Sequence, residues 1–191
     1  MKKILFITTR NPYSGRYSGD VIRALKVIKY LKKKNIVDVV YLTKKKDHNK
    51  KLNEGKFFFA SNLLLKIIYC LNSLIKINPI QFGIFFSAKM KDFIEQNSNR
   101  YDLLFFHHIR SSQYLPSDFK GKLILEMGDL YSKNYYLTYK NLNFLNPLKY
   151  IYLLESYLVK KKEMELFSKF DRIILYSKNE IKKISNKFKK K

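Results

Sequence analysis

The polar stretch at residues 10–20 is the first candidate for binding chemistry. It lies within residues 7–31, which contain three of the six arginines of a chain whose other basic residues are lysines. Gly15, Arg16 and Gly19 precede a helical pattern, and a helix start together with a planar guanidinium is suited to phosphate. Neither the G-x-G-x-x-G pattern nor the G-x-x-x-x-G-K-[ST] phosphate loop is present. We therefore expect either an anion-contacting loop or an ordinary strand–helix connection with turn glycines.

The second candidate is the segment FFHHIRSS, residues 105–112, which contains two of the chain's three histidines and Arg110. Neighbouring side chains on a strand face opposite sides, so either His107 or His108 would enter a cleft while the other packs against a neighbour. Each is a candidate catalytic residue, and each is explained equally well as a structural imidazole. We expect no metal site, because His48 lies in a distant basic segment and the chain has no cysteine pair.

The third candidate is LILEMGDLYSKNYY, residues 123–136, which places Glu126, Asp129 and Ser132 at the end of an apolar run. A carboxylate here has two explanations. Asp129 is either a polar contact to a ligand or the N-cap of the following helix.

Apolar runs that alternate with helical patterns must position these groups. The runs lie at residues 3–9, 37–43, 101–108, 121–129 and 170–177. Nearly continuous apolar strands are typical of sheets that are covered on both faces, so the pattern predicts an α/β fold with a Rossmann-like parallel sheet and helices on both faces. Further helices are predicted at 57–77, 86–96 and 148–167. The candidate residues would follow strands at the carboxyl edge, where open α/β sheets bind ligands.

The formal charge of +24 comes from 39 basic and 15 acidic residues. Such an excess suggests nucleic acid or an anionic membrane as a partner. The lysines are diffusely placed, however, and the abundance of Lys, Asn, Ile, Tyr and Phe is also explained by compositional bias. A basic nucleic-acid-binding module stays an alternative, although the aromatic residues lie in strand and helix interiors and no nucleic-acid motif is present, so no specific nucleic acid is expected.

The apolar segment 57–77 is interrupted by Asn62, Lys66, Asn72 and Lys76 near helical spacing, which indicates an amphipathic rather than a transmembrane helix. We favour packing of its apolar stripe on the sheet, with peripheral binding to an anionic membrane as the alternative. Cys70 is the only cysteine, which is consistent with a reducing compartment. The expected location is the cytoplasm, with peripheral association at the inner face of the membrane as an option.

Taken in order, five segments of the chain resemble the N-terminal, acceptor-side domain of GT-B glycosyltransferases, most closely bacterial retaining enzymes that build surface polysaccharides. The segments are ITTRNPYSGRYSGDVIRALKVIKYLKKKNIVDVVYL, PIQFGIFFSAKMKDFI, YDLLFFHHIRSSQYLP, LILEMGDLYSKNYY and LESYLVKKKEMELFSKFDRIILYSKNEI. The resemblance implies transfer of a sugar from a nucleotide-sugar co-substrate to a saccharide or lipid-linked acceptor, with retention and without another cofactor. The absence of a D-x-D motif counts against the metal-dependent site of the other major glycosyltransferase fold.

The resemblance also implies roles for the candidate residues. The loop from Gly15 to Gly19 would face the donor's diphosphate and sugar, with Arg16 as an added cation. His107 or His108 would contact the transferred sugar, and Arg110 and Asp129 would be substrate-binding residues at the same cleft edge.

One departure from the family concerns the second domain, which in relatives binds the nucleotide sugar and carries two glutamates separated by seven residues. We expect residues 1–177 to form the N-terminal domain, residues 178–191 to form a basic tail or the start of an interdomain connection, and the donor domain to be absent. The chain alone would then be inactive, as a truncated enzyme, one half of a split enzyme with a separately encoded donor domain, or a non-catalytic remnant. Glu155 and Glu163 have the family's separation but lie in a predicted helix, so we expect solvated or intrahelical acids.

Overall fold

Six parallel strands form one sheet, and the computed structural model describes residues 1–15, 17–44 and 54–188. The strands are β1 (Lys3–Thr8), β2 (Ile36–Thr43), β3 (Lys56–Phe59), β4 (Leu103–His107), β5 (Lys122–Gly128) and β6 (Arg172–Leu175). Their order in the sheet is β3-β2-β1-β4-β5-β6, and every neighbouring pair is parallel. This is the order of a doubly wound, Rossmann-like sheet, so the predicted fold class is confirmed.

Helices connect the strands and cover the sheet. They are α1 (Gly19–Lys32), α2 (Leu63–Ile75), α3 (Ile80–Ile84), α4 (Ala88–Asn97), α5 (Tyr131–Asn141), α6 (Leu148–Lys169) and α7 (Lys178–Phe188), with 3-10 turns at Ser98–Arg100 and Ile109–Tyr114. Helix α7 starts just after the predicted domain boundary. The buried Glu180 on α7 accepts a hydrogen bond from the Leu130 amide at 3.0 Å, so the first turn of this helix contacts the domain.

The two faces of the sheet have separate apolar cores because successive strand residues point to opposite sides. On one face, Phe6 of β1 packs with Ala24 and Ile28 of α1. On the other, Leu5 of β1 packs with residues of α4 and α6, including Val159. The prediction of helices on both faces is therefore confirmed, and the near-continuous apolar runs follow from this double coverage.

The predicted helix over residues 57–77 is wrong in two respects. Residues 56–59 form the edge strand β3, since three consecutive phenylalanines favour a pleated strand, and the helix begins only at Leu63 after its N-cap Asn62. Our preferred packing of its apolar stripe on the sheet is also wrong, because no residue of α2 is buried.

The expectation that Glu155 and Glu163 are solvated or intrahelical is wrong as well. Both side chains are buried. Glu155 accepts hydrogen bonds from the amides of Ile80 at 2.7 Å and Gln81 at 3.1 Å, at the start of α3. Glu163 accepts bonds from the amide and hydroxyl of Ser132 in the first turn of α5. The two carboxylates satisfy helix-start N–H groups that otherwise have no intrahelical partner, and they fix α6 against both helices.

Candidate functional site

Candidate residues at the end of β4 meet the loop after β1 where the winding of the sheet reverses, between these two adjacent strands. The loop after β1 leads to α1 and the loop after β4 leads toward the opposite direction of the sheet, which leaves a crevice at the carboxyl edge. Arg110, after β4, donates from Nε to Oγ1 of Thr9, after β1, at 2.8 Å. This hydrogen bond joins the two diverging loops across the crevice.

An arginine–aspartate cluster lies beside this bond. Asp20, in the first turn of α1, has Oδ2 2.6 Å from Nη1 of Arg10 and 3.5 Å from Nη2 of Arg110. Burial acts to raise the pKa of Asp20, but a hydrogen bond from Ser18 and the charges of the two arginines hold it below the ordinary value. Arg110 is itself buried and stacks on Phe85, with its guanidinium carbon 4.3 Å from the ring centroid. Asp20 thus pre-orients two guanidinium groups.

His107 is enclosed in a second network and is 1% exposed. Its Nδ1 contacts Oε2 of the buried Glu126, and its Nε2 lies 3.1 Å from the backbone carbonyl of Asp20. Glu126 also accepts a bond from the Tyr176 hydroxyl at 2.8 Å, with Arg23 3.8 Å away. Burial raises the pKa of Glu126, but the bonds from His107 and Tyr176 and the Arg23 charge lower it overall. Both ring nitrogens of His107 are therefore engaged within the domain.

His108 has a different environment, although it is also buried. Its Nδ1 hydrogen-bonds the Tyr131 hydroxyl, whereas its buried Nε2 has no hydrogen-bond partner in the described part of the chain. Its backbone, with φ 70° and ψ 149°, lies in a region that is costly for a residue with a side chain, and such strain clusters at functional sites. Of the two histidines, His108 is the one with a nitrogen left for a ligand.

Burial, together with the nearby charges of His107 and Arg110, lowers the pKa of His108 far below its ordinary value. Below about pH 6.5, His108 binds a proton in the unfolded chain but stays neutral in the folded chain, so acid favours unfolding. We expect the free energy of unfolding to fall by about 1.4 kcal/mol per pH unit below that value, relative to His108→Asn. Urea titrations of both proteins between about pH 5 and 7.5 measure this difference, in which the other titrating groups cancel. Parallel pH curves would contradict it.

Asp129 follows β5 at the carboxyl edge of the sheet and is exposed. It makes no hydrogen bond or ion pair with the described residues, and the N-cap of α5 is Leu130. The alternative explanation of Asp129 as N-cap is therefore wrong, because Glu163 and Glu180 satisfy the amides at this helix start. This carboxylate, which has no structural role in the described part of the chain, stays available for a ligand at the carboxyl edge of the sheet.

The first loop borders a cavity of about 320 Å³ at the ends of β1, β2 and β3. Its polar lining includes Thr9, Asn11, Ser14, Ser18 and Thr43, and its cations are Arg10, Lys44 and Lys66. Ser14 Oγ is buried without a hydrogen-bond partner among the described residues. Leu42, Ile84 and Phe85 give the cavity an apolar wall.

The two loop glycines, unlike the other four glycines of the chain, have open space around them. Gly15 has φ +68° and no atom within 4 Å of a Cβ built on it, and Gly19, the first residue of α1, is equally open. The predicted substrate-binding residue Arg16 lies outside the described residues. The roles proposed for these three positions stay predictions.

Sequence reasoning missed three residues of the site. None of Arg10, Asp20 and Phe85 had been assigned a role in ligand binding. The proximity of two arginines and one aspartate to strand ends was the available signal for the cluster. No sequence pattern predicts the stacking of Arg110 on Phe85, because the two residues are brought together only by the packing of α3 beside the crevice.

The chemistry available here is recognition of an anionic or polyhydroxylated ligand by fixed cations, hydroxyls and one imidazole nitrogen. Among residues 1–15, 17–44 and 54–188, no group of three or more His, Cys, Asp or Glu side chains is arranged to hold a metal ion. No protein-family model matches the sequence, and no curated protein matches it.

Proposed function

We propose that this chain is the acceptor-side domain of a retaining glycosyltransferase, which transfers a sugar from a nucleotide sugar to a saccharide or lipid-linked acceptor in surface polysaccharide biosynthesis. The observation that carries the proposal is the crevice at the β1–β4 switch point: a cation-lined cavity follows β1, and a strained histidine with an unpaired nitrogen follows β4. Ligand crevices of doubly wound sheets lie at this position. The resemblance of five ordered segments to that enzyme class supplies the reaction.

In this reaction the anomeric C–O bond to the diphosphate breaks, and the leaving diphosphate keeps the electron pair. The acceptor hydroxyl oxygen forms the new bond on the same face and gives up its proton to the leaving oxygen. Fixed cations stabilise the negative charge that develops on the diphosphate. We assign this role to Arg10, a cation among the described residues of the first loop, because Asp20 orients its guanidinium at the cavity wall.

We assign His108 Nε2 to a hydroxyl of the sugar bound in the crevice. A buried polar nitrogen without a partner costs about 1–3 kcal/mol, and a ligand hydroxyl would relieve that cost. His107 is assigned a positioning role, because both of its nitrogens are engaged by Glu126 and Asp20. The nucleotide-sugar-binding domain would close over this crevice and exclude water from the reacting centre. We place the reaction in the cytoplasm, consistent with the free thiol of the single cysteine, Cys70.

Asp129→Asn is expected to weaken binding of saccharides about tenfold, the loss of one charge-assisted hydrogen bond, while changing the free energy of unfolding by less than about 0.5 kcal/mol. Ligand-observed NMR with neutral and phosphorylated oligosaccharides measures the binding, and urea denaturation measures the stability. Asp92→Asn, an exposed aspartate on α4, is the matched control and should bind like the wild type.

Transfer of radiolabelled sugar is the direct test of the reaction, with the chain mixed with a donor domain of the same enzyme class. Transfer that disappears with His108→Asn or Asp129→Asn but persists with Asp92→Asn would support the proposal. A chain that binds no saccharide and contributes to no transfer would overturn it.

A further inference from the structure

Helix α2 directs its apolar stripe away from the core. Leu64, Ile68, Leu71 and Ile75 follow one another along one side of the helix and are 67%, 49%, 55% and 81% exposed. The less exposed positions on the other side are Lys66, Tyr69, Cys70, Ser73 and Leu74. The helix is therefore apolar on both sides and exposes one apolar stripe, whereas a helix on a water-exposed surface normally turns a polar side outward.

The first half of α6 and the turn before it expose a second apolar set. Its members, each at least 40% exposed, are Phe144, Leu145, Leu148, Tyr150, Ile151, Leu153, Leu154 and Tyr157. This half of the helix is apolar on several sides, so a single neighbouring helix cannot cover it. The α5–α6 hairpin thus projects hydrophobic side chains from the body of the domain.

The elements that carry the two sets come together at the start of α3. Glu155 of α6 accepts hydrogen bonds from Ile80 and Gln81, which follow the end of α2 by only five and six residues. Ile151 and Leu154 lie within about one helical turn of Glu155 on α6. We call the combined surface the apolar face: Leu63, Leu64, Ile67, Ile68, Leu71 and Ile75 of α2 with the eight residues at 144–157 named above.

The exposed charges within the two segments that carry the apolar face are all basic. Residues 61–79 contain no acidic residue, and residues 131–162 contain only Glu155, which is buried. Lysines accompany both parts, at positions 66, 76, 140, 149, 160 and 161. Two copies of the chain would bring these lysines together, at a formal charge of +24 each, so self-association through this face is disfavoured. A surface of lipid with negative head groups complements both the charge and the apolar side chains.

We propose that the apolar face binds the surface of an anionic lipid bilayer, with α2 and the first half of α6 lying in the interface. Helix α2 has 13 residues, too few to cross a bilayer, and no helix of the described residues is long and apolar enough to span one. Tyr150 and Tyr157 combine an apolar ring with a hydroxyl, as residues at head-group level do.

This binding is independent of the proposed transferase activity. Lys66 belongs to α2 and also lines the cavity at the ends of β1, β2 and β3. The cavity and a bilayer bound at the apolar face would therefore lie on opposite sides of α2, about one helix diameter apart.

The test is flotation of the purified chain with vesicles of phosphatidylcholine alone and with vesicles that also contain phosphatidylglycerol. We expect binding to the anionic vesicles that weakens with added salt. Leu64→Ser/Ile68→Ser/Leu71→Ser should reduce the partition coefficient at least about tenfold, since three apolar side chains leave the interface. Tyr150→Ser/Leu154→Ser tests the α6 part separately.

Tyr30→Ser/Ile36→Ser is the matched control, because both side chains are exposed but lie at the end of α1 and the start of β2. This control should float like the wild type, and circular dichroism should show that all variants are folded. Absence of binding to anionic vesicles at low salt would overturn the proposal. Binding of the α2 and α6 variants that equals that of the wild type would also overturn it. Sedimentation velocity identifies the competing occupant: a wild-type dimer that the α2 variant dissociates, without flotation, would also overturn it.

Discussion

Replacing Glu126 by alanine is expected to lower the free energy of unfolding by about 2–5 kcal/mol, because it removes the buried acceptor of the hydrogen bonds from His107 and Tyr176. The carboxylate is 1% exposed and contacts His107, Tyr176 and, at 3.8 Å, Arg23. Its removal leaves the imidazole without its acceptor and the tyrosine hydroxyl unpaired. A loss of this size is a large fraction of the stability of a typical domain.

Urea denaturation at neutral pH measures the effect. The pKa of Glu126 is lowered in the folded chain, so its contribution is present above the unfolded pKa of about 4.3 and is lost as the pH falls through the folded value. Glu54→Ala is the control, since Glu54 pairs with Lys32 at 2.6 Å but is exposed, and it should cost less than about 1 kcal/mol. Similar losses in the two variants would contradict the assignment of Glu126 as the centre of a buried network.

Replacing Glu155 by alanine is expected to cost about 2–5 kcal/mol, because two backbone N–H groups at the start of α3 lose their acceptor. Glu155→Gln should cost clearly less. Burial raises the pKa of Glu155, which indicates that the site disfavours the charge. The two amides donate to different carboxylate oxygens, so the single amide oxygen of glutamine can still accept one of the two bonds.

The comparison of the alanine and glutamine variants by urea denaturation separates the acceptor from the charge. Because the folded pKa lies above the unfolded one, the wild type should gain stability relative to Glu155→Gln as the pH falls from the folded value toward about 4.3. Equal losses in both variants would show that the charge itself is required. Glu165→Gln is a suitable control on the same helix, since Glu165 pairs with lysines at the surface.

Local patterns in the sequence predicted the sheet correctly. Five of the six strands were recognised, because runs such as KILFIT are buried on both faces and need no information from distant residues. The short edge strand β3 was read as the start of a helix. Apolar residues in a run of this length satisfy both periodicities, and only pairing with β2 decides between them.

The candidate site was predicted in part. The position of His108 and Arg110 at a strand end and the contact of Arg110 with the first loop follow from parallel topology. Which imidazole keeps an unpaired ring nitrogen does not follow from the topology, because His107 and His108 are neighbours in sequence and differ only in the residues that surround them. Asp129 is likewise freed from a capping role by Glu163 and Glu180, which come from later helices.

The sequence by itself determined an α/β chain with a parallel sheet, and it placed histidine, arginine and aspartate at the carboxyl edge, because strand periodicity and strand ends are local properties. Only the tertiary structure decided which imidazole keeps an unpaired nitrogen, that Glu155 and Glu163 are buried, and that α2 turns its apolar stripe outward. Each of these outcomes depends on partners far along the chain, such as Glu155 and Ile80, which are 75 residues apart. Burial depends on which elements pack together, and the residues next to a side chain in sequence do not determine that packing.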